Sequence, residues 1–195
     1  MQIDYLADHL HFAPMLARWH YDEWRDLLPQ WSYEEALAEL QSHAGRACIP
    51  TTVVAIADEQ LHGSASLILE DLEVVRHLSP WMASVFVMPE QRGKGIGRKL
   101  VERVVAEARQ LQVPKLYLFT AGPEEYYRKL SWAFYQRADC AGHEVAIMYR
   151  QLTSDITNCR NCEGFELSID NCFGCGQSRV MILKVQNRDR MFCEK

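Results

Sequence analysis

Three glycines and four basic side chains lie together in the middle of the chain, in the segment QRGKGIGRK. Gly93, Gly95 and Gly97 alternate with other residues, and the basic side chains beside them are Arg92, Lys94, Arg98 and Lys99. Glycine lacks a Cβ, so the backbone can turn tightly and come close to a bound group. A helix that begins after such a turn points free N–H groups and the positive end of its dipole at the same place. The segment therefore predicts a phosphate or pyrophosphate site.

The spacing of the glycines distinguishes between three phosphate-binding motifs. A dinucleotide-binding fingerprint needs G-x-G-x-x-G directly after a strand. Here Arg98 stands at the place of the third glycine, and Pro89 separates the apolar segment from the turn. A Walker A loop, G-x-x-x-x-G-K-[ST], does not match either. The pattern that fits is [QR]-x-x-G-x-[GA], formed by Arg92, Gly95 and Gly97.

Four of the seven cysteines form a second group near the end of the chain. Two C-x2-C pairs are separated by nine residues, and their members are Cys159, Cys162, Cys172 and Cys175. Four thiolates with this spacing are typical of a closed tetrahedral zinc site, with iron in the same ligands or a redox dithiol as alternatives. The other cysteines fall outside the spacing and are predicted to stay as thiols: Cys48, Cys140 and Cys193.

The region around these cysteines is predicted to be an appendage. Polar residues 153–158 indicate a linker between a main domain (residues 1–152) and a tail (residues 159–195) that resembles zinc ribbons. The tail has few core residues, so a bound metal would supply most of its folding free energy. Six basic and six acidic residues from Asp155 onward form no basic stripe. A protein contact or plain stabilisation is therefore expected, rather than nucleic-acid binding.

Composition limits the class of protein. The chain has 195 residues, enough for one domain and an appendage, and 21 basic residues against 26 acidic ones argue against a general nucleic-acid binder. No apolar run approaches a membrane span, and the N-terminus lacks the order of a signal peptide. We expect a cytoplasmic protein with no membrane partner.

The elements that must position these motifs follow from periodicity and turn residues. Residues 14–28 and 32–43 are predicted helices, the second with a capping box of Ser32 and Glu35. A right-handed crossover through the helix after the glycine turn would make the strands on either side of it parallel. The predicted strands are residues 1–10 in part, 51–57, 61–69, 81–87, 115–120, 132–137 and 145–149, with a short helix at 123–130.

The glycine motif, preceded by the V-x-V-x-P of Val85, Val87 and Pro89, resembles the acetyl-CoA-binding signature of the GNAT superfamily of N-acetyltransferases. The order of elements over about residues 1–152 is similar too. The resemblance implies an α/β fold with a mixed central sheet of about seven strands and four helices. It also implies acetyl-CoA-dependent transfer of an acetyl group to a primary amine by direct attack, with no covalent acetyl-enzyme.

The resemblance further implies where the donor binds. In this superfamily the central strand splays from its neighbour, and the pantetheine arm lies in the notch between them. The backbone of Phe86 and Val87 would contact that arm, with the Val87 N–H near the thioester carbonyl, where it would stabilise a developing oxyanion. The pyrophosphate is expected on the N–H groups of Arg92, Gly93, Lys94, Gly95, Ile96, Gly97 and Arg98.

A second segment, EYYRKLSW, resembles the F-Y-x-x-x-G-F of the superfamily. Tyr127 aligns with the tyrosine that can protonate the leaving thiolate, which makes it the candidate general acid. Ser131 and Trp132 replace Gly and Phe, and residues 120–122 (TAG) stand where an asparagine often occurs. The second departure leaves one pantetheine contact unassigned.

The acceptor side carries no motif. A carboxylate after the third strand is the first candidate for the general base, and the alternatives lie on the first helix and in the following loop. In order, these residues are Glu70 and Asp71, then Glu73, with His20, Glu23 and His77 as alternatives. Five aromatic residues in this region could line a binding site for an apolar or amphipathic amine, or could be ordinary core residues. They are Trp19, Tyr21, Trp24, Trp31 and Trp81.

The sequence is consistent with two functions, one as an enzyme and one as a binding module. The first is the N-acetyltransferase, whose acceptor is a small-molecule or peptide amine. The second is a CoA-binding or catalytically silent GNAT module that docks a protein through the cysteine tail. A second copy of the chain, forming a homodimer, is a further candidate partner.

Overall fold

The computed structural model describes residues 1–152. The predicted linker and the cysteine tail lie outside the described residues. The elements are β1 (Gln2–Tyr5), α1 (Ala13–Trp24), α2 (Tyr33–Ser42), β2 (Thr51–Ala57), β3 (Gln60–Ile68), β4 (Trp81–Val87), α3 (Ile96–Gln110), β5 (Lys115–Thr120), α4 (Glu124–Arg128), β6 (Ala133–Cys140) and β7 (His143–Gln151). The α/β prediction with seven strands and four helices is confirmed for this part of the chain.

The strands form one mixed sheet in the order β1-β2-β3-β4-β5-β7-β6. β4 and β5 are parallel, as the crossover through α3 predicts, and the other neighbours are antiparallel. Within residues 1–152, β4 and β5 share a single register pair, Trp81 with Tyr117. Beyond this pair the two strands are not paired with each other, and we call the space between their C-terminal halves the notch.

The helices cover opposite faces of this sheet because the strand residues alternate. Val53 of β2 packs with Leu100, Val101 and Val104 of α3 in the main core. Its neighbour Val54 packs with residues of α1 and α2 instead. The helix α3 therefore lies on one face, which we call the α3 face, and α1 with α2 lies on the other, the α1 face.

A β-bulge interrupts β4 beside the notch. Ser66 pairs with Ala83 and Ser64 pairs with Phe86, so Ser84 and Val85 together oppose Ala65. Ser84 has φ +52°, in the left-handed region. The extra residue shifts the alternation of side chains. Met82, Val85 and Val87 consequently face α3, whereas Trp81, Ala83 and Phe86 face the other side.

Several predicted boundaries differ from the observed ones. α1 ends at Trp24 instead of residue 28, and the chain then continues as a turn in which the N–H groups of Leu27 and Leu28 both donate to the Trp24 carbonyl. The β6–β7 hairpin is longer than predicted, since the tight turn at Ala141 and Gly142, both with positive φ, allows pairing up to Cys140 and His143. The capping box of α2 is confirmed. No helix within residues 1–152 is long and apolar enough to cross a membrane.

Candidate active site

The glycine turn connects the end of β4 to the start of α3. Gly95 is the N-cap residue of α3, with φ +79°. It has no side chain with which to cap the first N–H groups of the helix, so these remain available to a ligand. Apart from Gly95 and its neighbours in the chain, no heavy atom of the described residues lies within 4 Å of the place where a Cβ would stand on Gly95. Ile96, which is buried, anchors the turn in the main core.

The turn and the notch together fit acetyl-CoA. Uncapped N–H groups in open space suit a pyrophosphate, and the unpaired edges of β4 and β5 beyond Trp81 suit an extended pantetheine arm. The predicted donor-binding residues from Arg92 to Arg98 lie in this turn and the first residues of α3. Phe86 and Val87 lie at the end of β4 beside it.

Arg92 is oriented differently from the other predicted donor-binding side chains. Its Nε donates a hydrogen bond to the Val87 carbonyl at 3.0 Å, and its Nη2 lies 3.1 Å from the Glu23 carboxylate. The guanidinium therefore ties the turn to α1. Lys94 Nζ donates to Gln91 Oε1 at 2.9 Å, while Arg98 and Lys99 are exposed on the first turn of α3.

The fold places the aromatic residues of the predicted acceptor region in different environments. The Phe86 ring packs against Trp19 and Trp24 of α1, with ring centroids 5.6 and 6.4 Å away. Trp81 is fully buried, and its indole N–H donates to the Leu78 carbonyl at 2.7 Å. Trp19 and Trp24 therefore pack around Phe86 on the α1 face, whereas Trp81 belongs to the core.

Two adjacent tyrosines of α4 occupy different environments. Tyr127 packs against the main core, with its ring 6.4 Å from that of Trp132. Burial, and then the neighbouring Tyr126, raise the pKa of Tyr127 to about 12, so its hydroxyl is protonated at neutral pH. Tyr126 is half-exposed, and its hydroxyl lies against Gly97, where an added Cβ would stand 2.9 Å from it.

Tyr126 lies beside the glycine turn, although the sequence did not single it out as a candidate site residue. Its hydroxyl lies at the junction of the notch and the glycine turn, near Gly97 and the Val87 side chain. Burial raises the pKa of Tyr126 and the nearby Arg98 opposes the increase. The only signal in the sequence is that two tyrosines stand side by side, which does not show which one faces the turn.

The carboxylates that follow β3 also differ from one another. Asp71 is partly buried, and burial, followed by repulsion from Glu39 of α2, raises its pKa to about 7. Asp71 in turn helps to raise the pKa of the buried Cys140 thiol at the end of β6, after the larger effect of burial. Glu70 is exposed, and Glu73 forms a surface ion pair with Arg76.

The alternative bases are placed less favourably. His20 is buried, its Nε2 lies 2.8 Å from Ser64 Oγ, and burial lowers its pKa to about 3. Glu23 is paired with Arg92, and His77 is exposed in the loop before β4. Among residues 1–152, no group of three or more His, Cys, Asp or Glu side chains could hold a metal ion.

Comparison with solved structures shows the same fold in two named acetyltransferases and in a third protein that was solved with acetyl-CoA. A ribosomal-protein-alanine N-acetyltransferase from Brucella melitensis superposes with a TM-score of 0.61 at 23% identity, covering 78% of this chain and 100% of that one. An aminoglycoside 6'-N-acetyltransferase complexed with coenzyme A gives 0.62 at 15% identity, with 79% and 98% covered. The yncA protein from Salmonella typhimurium, solved with its cofactor acetyl-CoA, gives 0.58 at 19% identity, with 79% and 95% covered.

No curated protein sequence matches the chain. The model of the acetyltransferase (GNAT) family matches residues 13–139, which include the glycine turn, the notch and both tyrosines. These residues make up more than half of the sequence, and the fold agrees with the match. The chain therefore belongs to the GNAT family of acetyltransferases.

Proposed function

We propose that the protein is an acetyl-CoA-dependent N-acetyltransferase that transfers an acetyl group to a primary amine by direct attack in a ternary complex. The observation that carries the proposal is the notch between β4 and β5, which ends at the uncapped, glycine-lined start of α3. One opening thus leads from a site suited to a pyrophosphate to the interior of the sheet, where an extended thioester arm can lie.

The residues take separate roles in this reaction. Acetyl-CoA supplies an acetyl group that is activated as a thioester. The N–H groups of the turn hold the pyrophosphate, and the backbone of Phe86 and Val87 orients the arm, with the Val87 N–H donating to the carbonyl oxygen. Tyr127 carries a proton on its hydroxyl at neutral pH and donates it to the departing thiolate.

Asp71 and Glu70, the carboxylates that follow β3, are the proposed candidates for the general base. An amine must lose a proton before or during attack, and a base works best when its pKa is near the working pH. Asp71 meets that condition, since its pKa is raised to about 7. Glu70 remains the rival, because it is adjacent in sequence and exposed to solvent.

The acceptor is proposed to be a small-molecule or peptide amine. The solved relatives include enzymes whose names specify a ribosomal-protein alanine and an aminoglycoside, so both amine types belong in a substrate panel. The alternative proposal is a GNAT module that binds CoA without turnover and acts through a protein partner of the tail.

Calorimetry followed by turnover assays tests the proposal. Acetyl-CoA and CoA are titrated into the full chain, and release of free thiol is then measured with peptides, lysine, polyamines and aminoglycosides. We expect acetyl-CoA binding and amine-dependent thiol release. Binding without turnover on any amine would favour the silent module, and absence of binding would contradict both proposals.

For the tail we propose a structural zinc ion held by the four cysteines of the two C-x2-C pairs. The support is the spacing of these cysteines in the sequence, since the tail lies outside the described residues. A reducing compartment such as the cytoplasm would keep the four thiols available for the metal.

A further inference from the structure

A buried hydrogen-bond chain joins α1 to the bulge of β4. His20 Nε2 of α1 lies 2.8 Å from Ser64 Oγ of β3, and Ser64 Oγ donates to the Ser84 carbonyl at 3.4 Å. His20 is 2% exposed and Ser64 is 0% exposed, so water does not compete for the bond between them, while the Ser84 carbonyl is partly buried. Three elements that are distant in sequence therefore meet through polar atoms beside the notch.

The direction of the hydrogen bonds follows from the chemistry of the groups. A backbone carbonyl only accepts, so the single hydrogen of the Ser64 hydroxyl is used on Ser84. Ser64 Oγ must then accept from His20, which requires the tautomer with a hydrogen on Nε2. Burial lowers the pKa of His20 to about 3, so the ring stays neutral and keeps this donor at working pH.

The carbonyl that accepts the hydrogen bond from Ser64 belongs to Ser84, the one residue of β4 with a strained backbone conformation. Ser84 has φ +52°, a conformation that residues with a Cβ adopt only when their surroundings hold them there. If the bulge were lost, β4 would slip by one residue against β3 and its side chains would exchange faces. Phe86 would then leave Trp19 and Trp24, and Val87 would leave the α3 face.

We propose that His20 is a positioning residue that acts through Ser64: it holds Ser84 in the left-handed bulge and so keeps the β4 edge of the notch in the geometry that receives acetyl-CoA. The identity of the ligand rests on the proposed function, but the support of the bulge does not. His20 touches no reacting atom in this role. A buried donor committed to Ser64 also explains why His20 cannot serve as the general base.

Four variants of the full chain test this proposal. Ser64→Ala removes the hydroxyl, and His20→Phe removes the N–H donor while keeping an aromatic ring. His20→Gln keeps an N–H donor and is the conservative rescue. Ser66→Ala is the matched control, because Ser66 lies on the same strand and is equally buried, but its hydroxyl bonds Thr52 Oγ1 of β2 at 2.9 Å.

Two measurements distinguish a positioning role from ordinary core packing. By calorimetry, we expect the Kd for acetyl-CoA to rise about tenfold in Ser64→Ala and His20→Phe, and to change less than about threefold in His20→Gln and Ser66→Ala. By hydrogen exchange with mass spectrometry, peptides that cover β4 should exchange faster in the first two variants than in the last two.

The comparison of Ser64→Ala with Ser66→Ala decides the outcome. Equal losses of Tm with unchanged acetyl-CoA affinity and unchanged exchange in β4 would overturn the proposal. If Ser64→Ala does not fold, His20→Phe against His20→Gln carries the same comparison. Failure of the unmodified chain to bind acetyl-CoA would contradict the proposed function and the claim that the bulge shapes an acetyl-CoA site. Hydrogen exchange in β4 would still show whether the bonds from His20 through Ser64 hold the bulge.

Discussion

At the scale of single residues, two tyrosines next to each other in α4 occupy different environments, and we expect them to have different roles. Tyr127 is held in the core and keeps its proton, whereas Tyr126 presents its hydroxyl to Gly97 at the glycine turn. The resemblance to other GNAT sequences aligned Tyr127 with the acid, but only the packing shows that Tyr126 lies nearer the turn. The two residues can therefore be separated experimentally.

Replacing each tyrosine by phenylalanine should affect different constants. Tyr127→Phe removes the proton donor, and we expect kcat to fall about 100-fold while the Kd for acetyl-CoA changes less than about twofold. Tyr126→Phe should weaken acetyl-CoA binding and leave kcat nearly unchanged. The assays are steady-state kinetics and calorimetry. Unchanged kcat in Tyr127→Phe would remove that residue from the acid role.

Asp71 predicts a pH dependence of activity. Its pKa is raised to about 7, and a base acts only when deprotonated, so kcat/KM should rise with pH through about 7. Asp71→Asn should lower kcat/KM about 100-fold at pH 8 and remove this limb of the profile. Glu70→Gln is measured in parallel. If only that variant loses the rise of kcat/KM with pH, the general base would be Glu70.

The same carboxyl predicts a pH dependence of stability. The pKa of Asp71 rises on folding from an ordinary 3.8 to about 7, so the folded protein binds this proton more tightly than the unfolded chain does. The charged form therefore destabilises the fold increasingly from about pH 4 to pH 7. Asp71→Asn should raise Tm more at pH 8 than at pH 5, and an equal change at both values would argue against a buried carboxyl.

At the scale of elements, the start of α3 depends on the backbone of Gly95. With φ +79° and open space around a Cβ, replacement by alanine introduces backbone strain without a steric clash. Gly142 in the β6–β7 turn has φ +87° and equally open space, so it is a matched control far along the chain from the donor turn.

Gly95→Ala and Gly142→Ala should therefore cost a similar free energy of unfolding, about 1 kcal/mol each. Only Gly95→Ala should weaken acetyl-CoA binding, because its strain moves the N–H groups that would hold the pyrophosphate. Denaturant unfolding and calorimetry measure the two effects. Equal acetyl-CoA affinity in both variants would show that the turn does not bind the donor.

At the scale of the whole molecule, the tail is expected to bind metal independently of the donor site. The full chain, purified under reducing conditions, should contain about one zinc per chain by elemental analysis, as four thiolates form one closed site. Cys159→Ser with Cys162→Ser should lose the metal and keep acetyl-CoA affinity. Substoichiometric zinc in the unmodified chain would contradict the zinc prediction, and iron in its place would select the alternative metal.

The sequence by itself determined the features that depend on neighbouring residues. The limits of β2, β4 and β5 agree with the prediction, since strands of β-branched and aromatic residues between turn residues carry their signal locally. The glycine turn and its family were recognisable for the same reason, because Arg92, Gly95 and Gly97 lie within six residues. The end of α1 was predicted too late because its apolar pattern continues past the residues that form the helix.

The tertiary structure alone decided the features that depend on contacts between distant segments. The bulge at Ser84 results from pairing with β3 and is supported from α1, 64 residues earlier in the chain at His20. Arg92 turns toward Glu23, and Asp71 acquires its raised pKa from burial and from Glu39. No local pattern encodes such contacts, because each depends on how separate elements pack. The fold and the family were therefore largely predictable from the sequence, whereas the contacts that orient the glycine turn and the environment of Asp71 were not.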